Sequence, residues 1–553
     1  MKPQNIILSH LLLQSVQAAT VSNDEQLIAL TSGSTKKSNI DWARCDLDFG
    51  HSTTNQYQAA YDCARLEVPL DYTNQSSPDT LKLDLIKAKA TRKPFEGSVL
   101  FNSGGPGRSG VESIVARGAE YVEILGGHYD IIGFDPRGTG RTLRPTSGNS
   151  IERVLIESNT PSSKQRSKRD EHGLFQIDTR QYVNSTLWQS AGRLAEECYK
   201  DNADVGRFYG TPFVARDMIS IVDALGQGDK INFWGISYGS VLGQVVAGMF
   251  PARIGRMMID SNLLINDYLD TAGHGSTQDA EKAFLHFIDE CIAAGPELCS
   301  LAGNGTTAES LLKAIDKQIR GGIDFDDTPK FEGNSAIYSL ILRGLRDVSE
   351  FPNLDATINA ILQGDGTAID SPLETDLMSS AWSSASDLVY LMVFCGDSSF
   401  RAKTPDDIFS LYQAHLTAGP FAPSTMREAI YCARWKFQAV EQVDLNSLRN
   451  IKTANPVLII NGAYDPVTPA AHAWEISARM QGSRVVIHEG VGHGFVTHPS
   501  ECVNDIVAKY FNDGELPEIN TTCKPDTPAF EYAEYAKSKA WQDAAEAGLD
   551  YIG

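Results

Sequence analysis

Hydrophobic and polar positions change period several times along the chain. Residues 65–70 and 81–88 alternate as two short strands do, across a Pro-, Asp-, Asn- and Ser-rich connection of hairpin type. Residues 98–101 (Ser-Val-Leu-Phe) and 130–134 (Asp-Ile-Ile-Gly-Phe) read as short, mostly apolar strands, with a glycine-rich loop (102–110) and a helix between them. From Thr211 to Leu225 the apolar residues Phe213, Ile219, Ile221, Val222 and Leu225 recur at helical spacing and stop at Gly226. A strand at 231–234, a helix from about Val241 that ends before Pro251, and a strand at 255–260 continue the alternation. Between about 263 and 450 the pattern is mostly helical. Strands return at 456–460 and 484–487, and a helix near 503–510 closes the body.

Strands alternating with helices predict an α/β fold: a mostly parallel sheet, helices on both faces, and an inserted helical cap. The expected divisions are a leader at 1–18, a first core part at 45–262, the cap at 263–450, a second core part at 451–524 and an amphipathic tail at 525–553. No internal repeat is visible. The leader carries Lys2, a broken apolar stretch over 6–13 and small residues at Val16, Ala18 and Ala19, the form of a cleavable signal peptide. That stretch is too short to span a bilayer, no later run reaches 18 apolar residues, and the polar end of the sequence is unlike a GPI signal.

Secretion to the extracellular space is therefore expected, and two further features agree. Four N-x-S/T sequons, at Asn74, Asn184, Asn304 and Asn520, are candidate glycosylation sites. None of the nine cysteines forms a C-x-x-C pair, so eight could join as disulfides in any of 105 ways, and no metal site is expected. Residues 145–172 read as a surface excursion whose Lys168-Arg169 pair is a candidate processing point. With 48 Lys+Arg against 70 Asp+Glu the net charge is −22, which disfavours nucleic acid and anionic membranes as partners. The hydrophobic share, 42%, is enough to fill a core.

Three short segments carry chemistry. Gly235-Ile236-Ser237-Tyr238-Gly239 follows an apolar strand and opens a helix, so the chain must turn sharply at Ser237. Such a turn exposes the serine hydroxyl and sets the Tyr238 N–H at a helix N-terminus, where developing negative charge is favoured. Asp465, in Asn461-Gly-Ala-Tyr-Asp-Pro-Val-Thr-Pro469, ends a strand in a rigid loop and can accept an imidazole N–H; helix capping is its structural alternative. His493, in Gly490-Val-Gly-His-Gly-Phe495, follows the next strand, with His488 and His498 as less well placed rivals. The order Ser237, Asp465, His493 is the Ser…Asp…His order of α/β-hydrolases and predicts an acyl-enzyme mechanism without a cofactor. The loop Gly105-Pro-Gly107-Arg-Ser-Gly110, with Asp135 downstream, also fits a dinucleotide fingerprint. Beside a serine triad it reads instead as an oxyanion loop, with the Gly105 and Tyr238 N–H groups as donors. Phe134 to Gly140 is expected to fix neighbouring backbone.

Ser-Gly-Gly-Pro-Gly (103–107), Asp-Pro-Arg-Gly-Thr-Gly (135–140), Gly-Ile-Ser-Tyr-Gly (235–239), Asp-Pro-Val-Thr-Pro (465–469) and Gly-His-Gly (492–494) together resemble the secreted tripeptidyl aminopeptidases, in the α/β-hydrolase branch that includes prolyl aminopeptidases. The resemblance covers about residues 45–523. It implies the helical cap, release of short peptides from a free N-terminus, disulfides Cys45–Cys63, Cys291–Cys299, Cys395–Cys432 and Cys502–Cys523, and a free Cys198. Prolyl aminopeptidases usually carry His where Ser103 stands, which disfavours release of single prolines. An exopeptidase needs carboxylates for the substrate ammonium, but spacing assigns none of the cap acids Asp289, Glu290, Asp324, Asp326 and Asp327 to that role. A secreted esterase, lactonase or thioesterase for a small metabolite would use the same triad, so the substrate is a peptide or a small acyl compound.

Overall fold

The computed structural model describes residues 38–50, 52–146, 187–270, 275–321, 330–365, 368 and 386–546. The expected leader, Asn184, the Lys168-Arg169 pair, Asp324, Asp326 and Asp327 lie outside the described residues. Ten strands form one sheet: β1 (Ala43–Arg44), β2 (Asp62–Pro69), β3 (Thr80–Ala88), β4 (Gly97–Asn102), β5 (Tyr129–Phe134), β6 (Ile231–Ile236), β7 (Ile254–Asp260), β8 (Val457–Tyr464), β9 (Arg484–Val491) and β10 (Thr521–Cys523). Their order is β1-β2-β3-β5-β4-β6-β7-β8-β9-β10. The first three pairings are antiparallel and every pairing from β5–β4 to β9–β10 is parallel. The parallel part changes direction of travel at β4, and the loops after β4 and β6 open there side by side, where sheets of this kind bind ligands.

Residues next to one another in a strand face opposite sides, so Phe233 and Trp234, or Met257 and Met258, enter two separate cores. Both cores are apolar because each face is covered by helices. Between β7 and β8 the described residues form helices and irregular segments, with no strand in the sheet. Part of this cap packs into the first core through Leu388, Met392 and Ile430. The rest has its own core, centred on Phe287, Leu340, Phe351 and Phe530.

Some boundaries differ from expectation. The helix after Ser237 starts at Tyr238, not Val241, and β9 runs on through His488 to Val491. Two edge strands, β1 and β10, are too short to show any periodicity, and β1 begins ahead of residue 45. Residues 525–553 are more than a tail. The helix Ala529–Glu546 places Phe530 against Phe287 and Phe351, and the Ala529 N–H donates to Glu290. Disulfides join Cys45–Cys63, Cys291–Cys299, Cys395–Cys432 and Cys502–Cys523, and Cys198 is a buried free thiol. Asn74, Asn304 and Asn520 are exposed. Among the described residues no helix is long and apolar enough to cross a membrane.

Candidate active site

Ser237 sits between β6 and the helix Tyr238–Met249 with φ 60 and ψ −120, a backbone conformation that residues other than glycine rarely adopt. The packing enforces it. A Cβ on Gly235 would lie 2.3 Å from the Gly239 carbonyl oxygen, and one on Gly239 would lie 2.6 Å from that of Asn102. Only a chain bare of side chains on both flanks can turn this tightly, so the serine at the apex is left half-buried and turned toward the sheet's rim. Its N–H donates to the Asp260 carbonyl (3.0 Å), which fixes the turn to the end of β7.

The loop after β4 is pressed onto this turn. A Cβ on Gly104 would fall 2.8 Å from the Ser237 Cβ and 3.2 Å from the Tyr238 nitrogen. The Gly104 N–H is consumed by Asn102 Oδ1 (3.0 Å), while that of Gly105 makes no hydrogen bond to a described residue. The Tyr238 N–H heads its helix and has no intrahelical acceptor. Two backbone donors thus remain free on adjoining segments. The Tyr238 phenol bonds the Thr211 hydroxyl (2.7 Å), which bonds Asp397 at the end of the cap helix Ser386–Asp397. Asp135 accepts from the Ser109 hydroxyl (2.7 Å) and the Val111 N–H (3.1 Å), so it pins the start of the helix after the loop. A ribose-binding carboxylate would have to be open, and this one is fully buried. Arg137 is equally buried, in a two-bond ion pair with Asp217.

Asp465 is inaccessible to water and saturated with donors: the Val467 and Thr468 N–H groups (both 2.9 Å), the Thr468 hydroxyl (2.5 Å) and His493 Nδ1 (2.9 Å). Burial alone would raise its pKa; the His493 ring, with Thr468 and Val467, outweighs burial and holds the carboxyl below its ordinary value. His493 Nε2, the nitrogen a general base uses, is buried and has no hydrogen-bond partner. No direct bond joins it to Ser237, but Asp260 brings the two segments together. Its carbonyl takes the Ser237 N–H and its carboxylate takes the Phe495 N–H (3.1 Å). The rivals are otherwise engaged. His488 bonds the His498 carbonyl (2.7 Å) from within β9, and His498 bonds that of Thr527 (2.7 Å), with burial lowering its pKa to about 4.

Comparison with known proteins matches this arrangement to a family. Residues 97–284, which hold the loop after β4 and the Ser237 turn, match the family described as alpha/beta hydrolase fold. Residues 419–523, which hold Asp465 and His493, match that described as TAP-like protein.

The chain is an α/β-hydrolase.

The hydrolase is homologous to the tripeptidyl aminopeptidase of Streptomyces coelicolor, 27% identical over 90% of this chain and 88% of the relative. It is similar to the serine protease Hip1 of Mycobacterium tuberculosis H37Rv, 23% identical over 83% of this chain and 87% of the relative. It is also similar to the carboxylesterase B of M. tuberculosis CDC 1551, 26% identical over 84% of this chain and 86% of the relative.

The sequence reading missed the charges that the cap and the loops bring to this rim. The Arg346 carbonyl accepts the His493 N–H at 2.7 Å. The Arg346 side chain itself is exposed. Its charge acts on Asp465 and Tyr390, and Tyr390 in turn feels Glu428. Burial pushes the Glu428 pKa up to about 7, and one carboxylate oxygen has no partner. Asp260 is likewise buried, and burial, with the nearby Asp465, raises its pKa to about 8. Of the cap acids marked in the sequence, Asp289 is exposed and Glu290 caps the terminal helix.

Proposed function

We propose that the hydrolase is a secreted serine aminopeptidase that releases tripeptides from free N-termini. His493 takes the Ser237 proton as the hydroxyl attacks the carbonyl, Asp465 holds the imidazole tautomer, and the Gly105 and Tyr238 N–H groups receive the oxyanion. His493 then protonates the leaving amine, and water activated by the same ring hydrolyses the acyl-enzyme. Secretion is supported by the leader-like start, the four disulfides and the exposed sequons.

One observation carries the exopeptidase reading: Glu428, a half-buried cap acid whose Oε2 is shut off from water and has no hydrogen-bond partner. Arg427 is the protein cation that acts on it, and a substrate ammonium at the unpartnered oxygen would favour its ionised form further. The names of the tripeptidyl aminopeptidase relatives agree. The carboxylesterase relative favours a second reading, an esterase, lactonase or thioesterase acting on a small metabolite.

Steady-state rates on tripeptide amides, their N-acetyl forms and short aryl esters separate the two. The aminopeptidase loses activity on acetylation, and Glu428→Gln lowers kcat/KM on free-amine peptides by roughly 10- to 100-fold. Equal turnover of free and acetylated peptides, or a preference for aryl esters, would refute it.

A further inference from the structure

A buried carboxylate stands apart from the triad, at the end of the cap helix Ser386–Asp397. The two oxygens of Asp397 take three donors: the Thr211 N–H (2.8 Å) on one, the Thr211 hydroxyl (2.5 Å) and the Tyr268 phenol (3.0 Å) on the other. Thr211 opens the helix Thr211–Leu225, so the carboxylate also lies at a helix N-terminus, where negative charge is favoured. With Asp397 ionised, the Thr211 hydroxyl gives it its single hydrogen. The Tyr238 phenol, 2.7 Å away, is then the donor in its bond to Thr211.

This chain of bonds ends on the residue that carries a proposed oxyanion donor. Tyr238 is buried, and its ring lies 5.9 Å from that of Tyr268. Phe394, one turn before Asp397, meets Tyr268 edge-on at 5.0 Å. The Tyr238 N–H directly follows Ser237, whose φ of 60 persists because its surroundings impose it. Dispersion contacts hold a ring in place without fixing its direction, whereas a hydrogen bond at its far end fixes both. The body supplies Tyr238 and Thr211 to the network, and the cap supplies Asp397 and Tyr268. The Cys395–Cys432 disulfide extends the link to the helix Met426–Arg434, which bears Glu428.

We infer that Asp397 is a positioning residue for the hydrolytic reaction: through Thr211 it fixes the Tyr238 ring, and with it the Tyr238 N–H, so that the cap supports the oxyanion site without touching the substrate. The inference rests on the proposed roles of Ser237 and the Tyr238 N–H. It holds for a peptide and for an ester, since both pass through an oxyanion. Its effect falls on the transition state and not on ground-state binding.

An aldehyde analogue of whichever substrate the enzyme turns over, tripeptide or short acyl, tests it beside the matching alcohol. Ser237 Oγ adds to the aldehyde carbon, its proton passes to His493, and the carbonyl π pair becomes an oxyanion; the alcohol fills the same pocket and forms none. In Asp397→Asn, Thr211→Val and Tyr238→Phe, kcat falls roughly 10- to 100-fold while KM changes less than about threefold. The aldehyde Ki rises by the same factor as kcat falls, and the alcohol Ki holds. Thr211→Ser, which keeps the hydroxyl, recovers most of what Thr211→Val loses. Tyr238→Phe removes a single oxygen, so it decides the matter if Asp397→Asn does not fold. Aldehyde and alcohol that weaken together, or a rise in KM at constant kcat, would mark a purely structural role and overturn the inference. An aldehyde Ki unchanged in all three variants overturns it too. A native enzyme that hydrolyses neither substrate class, or binds the aldehyde no more tightly than the alcohol, refutes the oxyanion assignment itself and the inference with it.

Discussion

At the rim of the sheet the groups that hold the proposed triad are saturated: Asp465 takes four donors, and the backbone of Ser237 is tied to β7. In the cap, by contrast, one carboxylate oxygen of Glu428 is buried without a partner. The contrast separates two tasks. Bond-making chemistry needs groups already fixed before the substrate arrives, since reorganising them would add to the barrier. Recognition needs groups whose partner is the substrate itself, and these carry an unmet electrostatic demand while the site is empty.

Substitutions at the saturated rim should have the largest effects. Ser237→Ala is expected to lower kcat by roughly 10⁶-fold and to abolish labelling by a fluorophosphonate, with thermal unfolding little changed. Labelling that persists would remove Ser237 from the mechanism. Asp465→Asn keeps the shape but offers the imidazole a wrong partner, and a loss of roughly 10⁴-fold in kcat is expected; a loss below tenfold would leave Asp465 a helix-capping residue.

The unpaired side should give smaller effects, read in KM. Glu428 must be ionised to hold an ammonium, and its pKa is raised to about 7. The ammonium itself deprotonates near 7.7–8.0. KM on free-amine peptides should therefore fall as pH rises to about 7 and climb again above about 8. In Glu428→Gln the acid-side limb should vanish; its survival would assign it to another group.

Asp260 bears on stability and not on turnover. Folded, it keeps its proton up to about pH 8; unfolded, it loses it near 3.9. The folded state then binds the extra proton between these values, so stability falls with rising pH by about 1 kcal/mol per unit through that window. Asp260→Asn should lack this contribution. Denaturant midpoints at pH 5 and 8 that shift equally in the two proteins would refute it.

The same contrast governs what can be read from the sequence. The rim is legible because its geometry is local: a strand, a turn that tolerates glycine alone on both sides, and a helix place Ser237, and Asp465 and His493 each close a strand of their own. Glu428 is not, because it is a single charge in helical sequence, indistinguishable from a solvated one until packing removes its partner. The end of β9 is read too early for a related reason, since Glu489 and Gly490 break the apolar run that the strand continues through to Val491. The strands β1 and β10 are each shorter than one period of evidence, and both lie next to a disulfide that ties the sheet's edge.

The terminal helix has a mechanical consequence. An insertion joined to its body by two stretches of chain can swing about the line through them. Here the stretch after β10 makes a third attachment: Asp526 donates to the Pro499 carbonyl, Thr527 accepts from His498, and Ala529 and Phe530 fasten onto the cap. That rivet ties the cap to the loop bearing His493. The described part of the cap is thereby held at a third point of the body, beside the segment that follows His493.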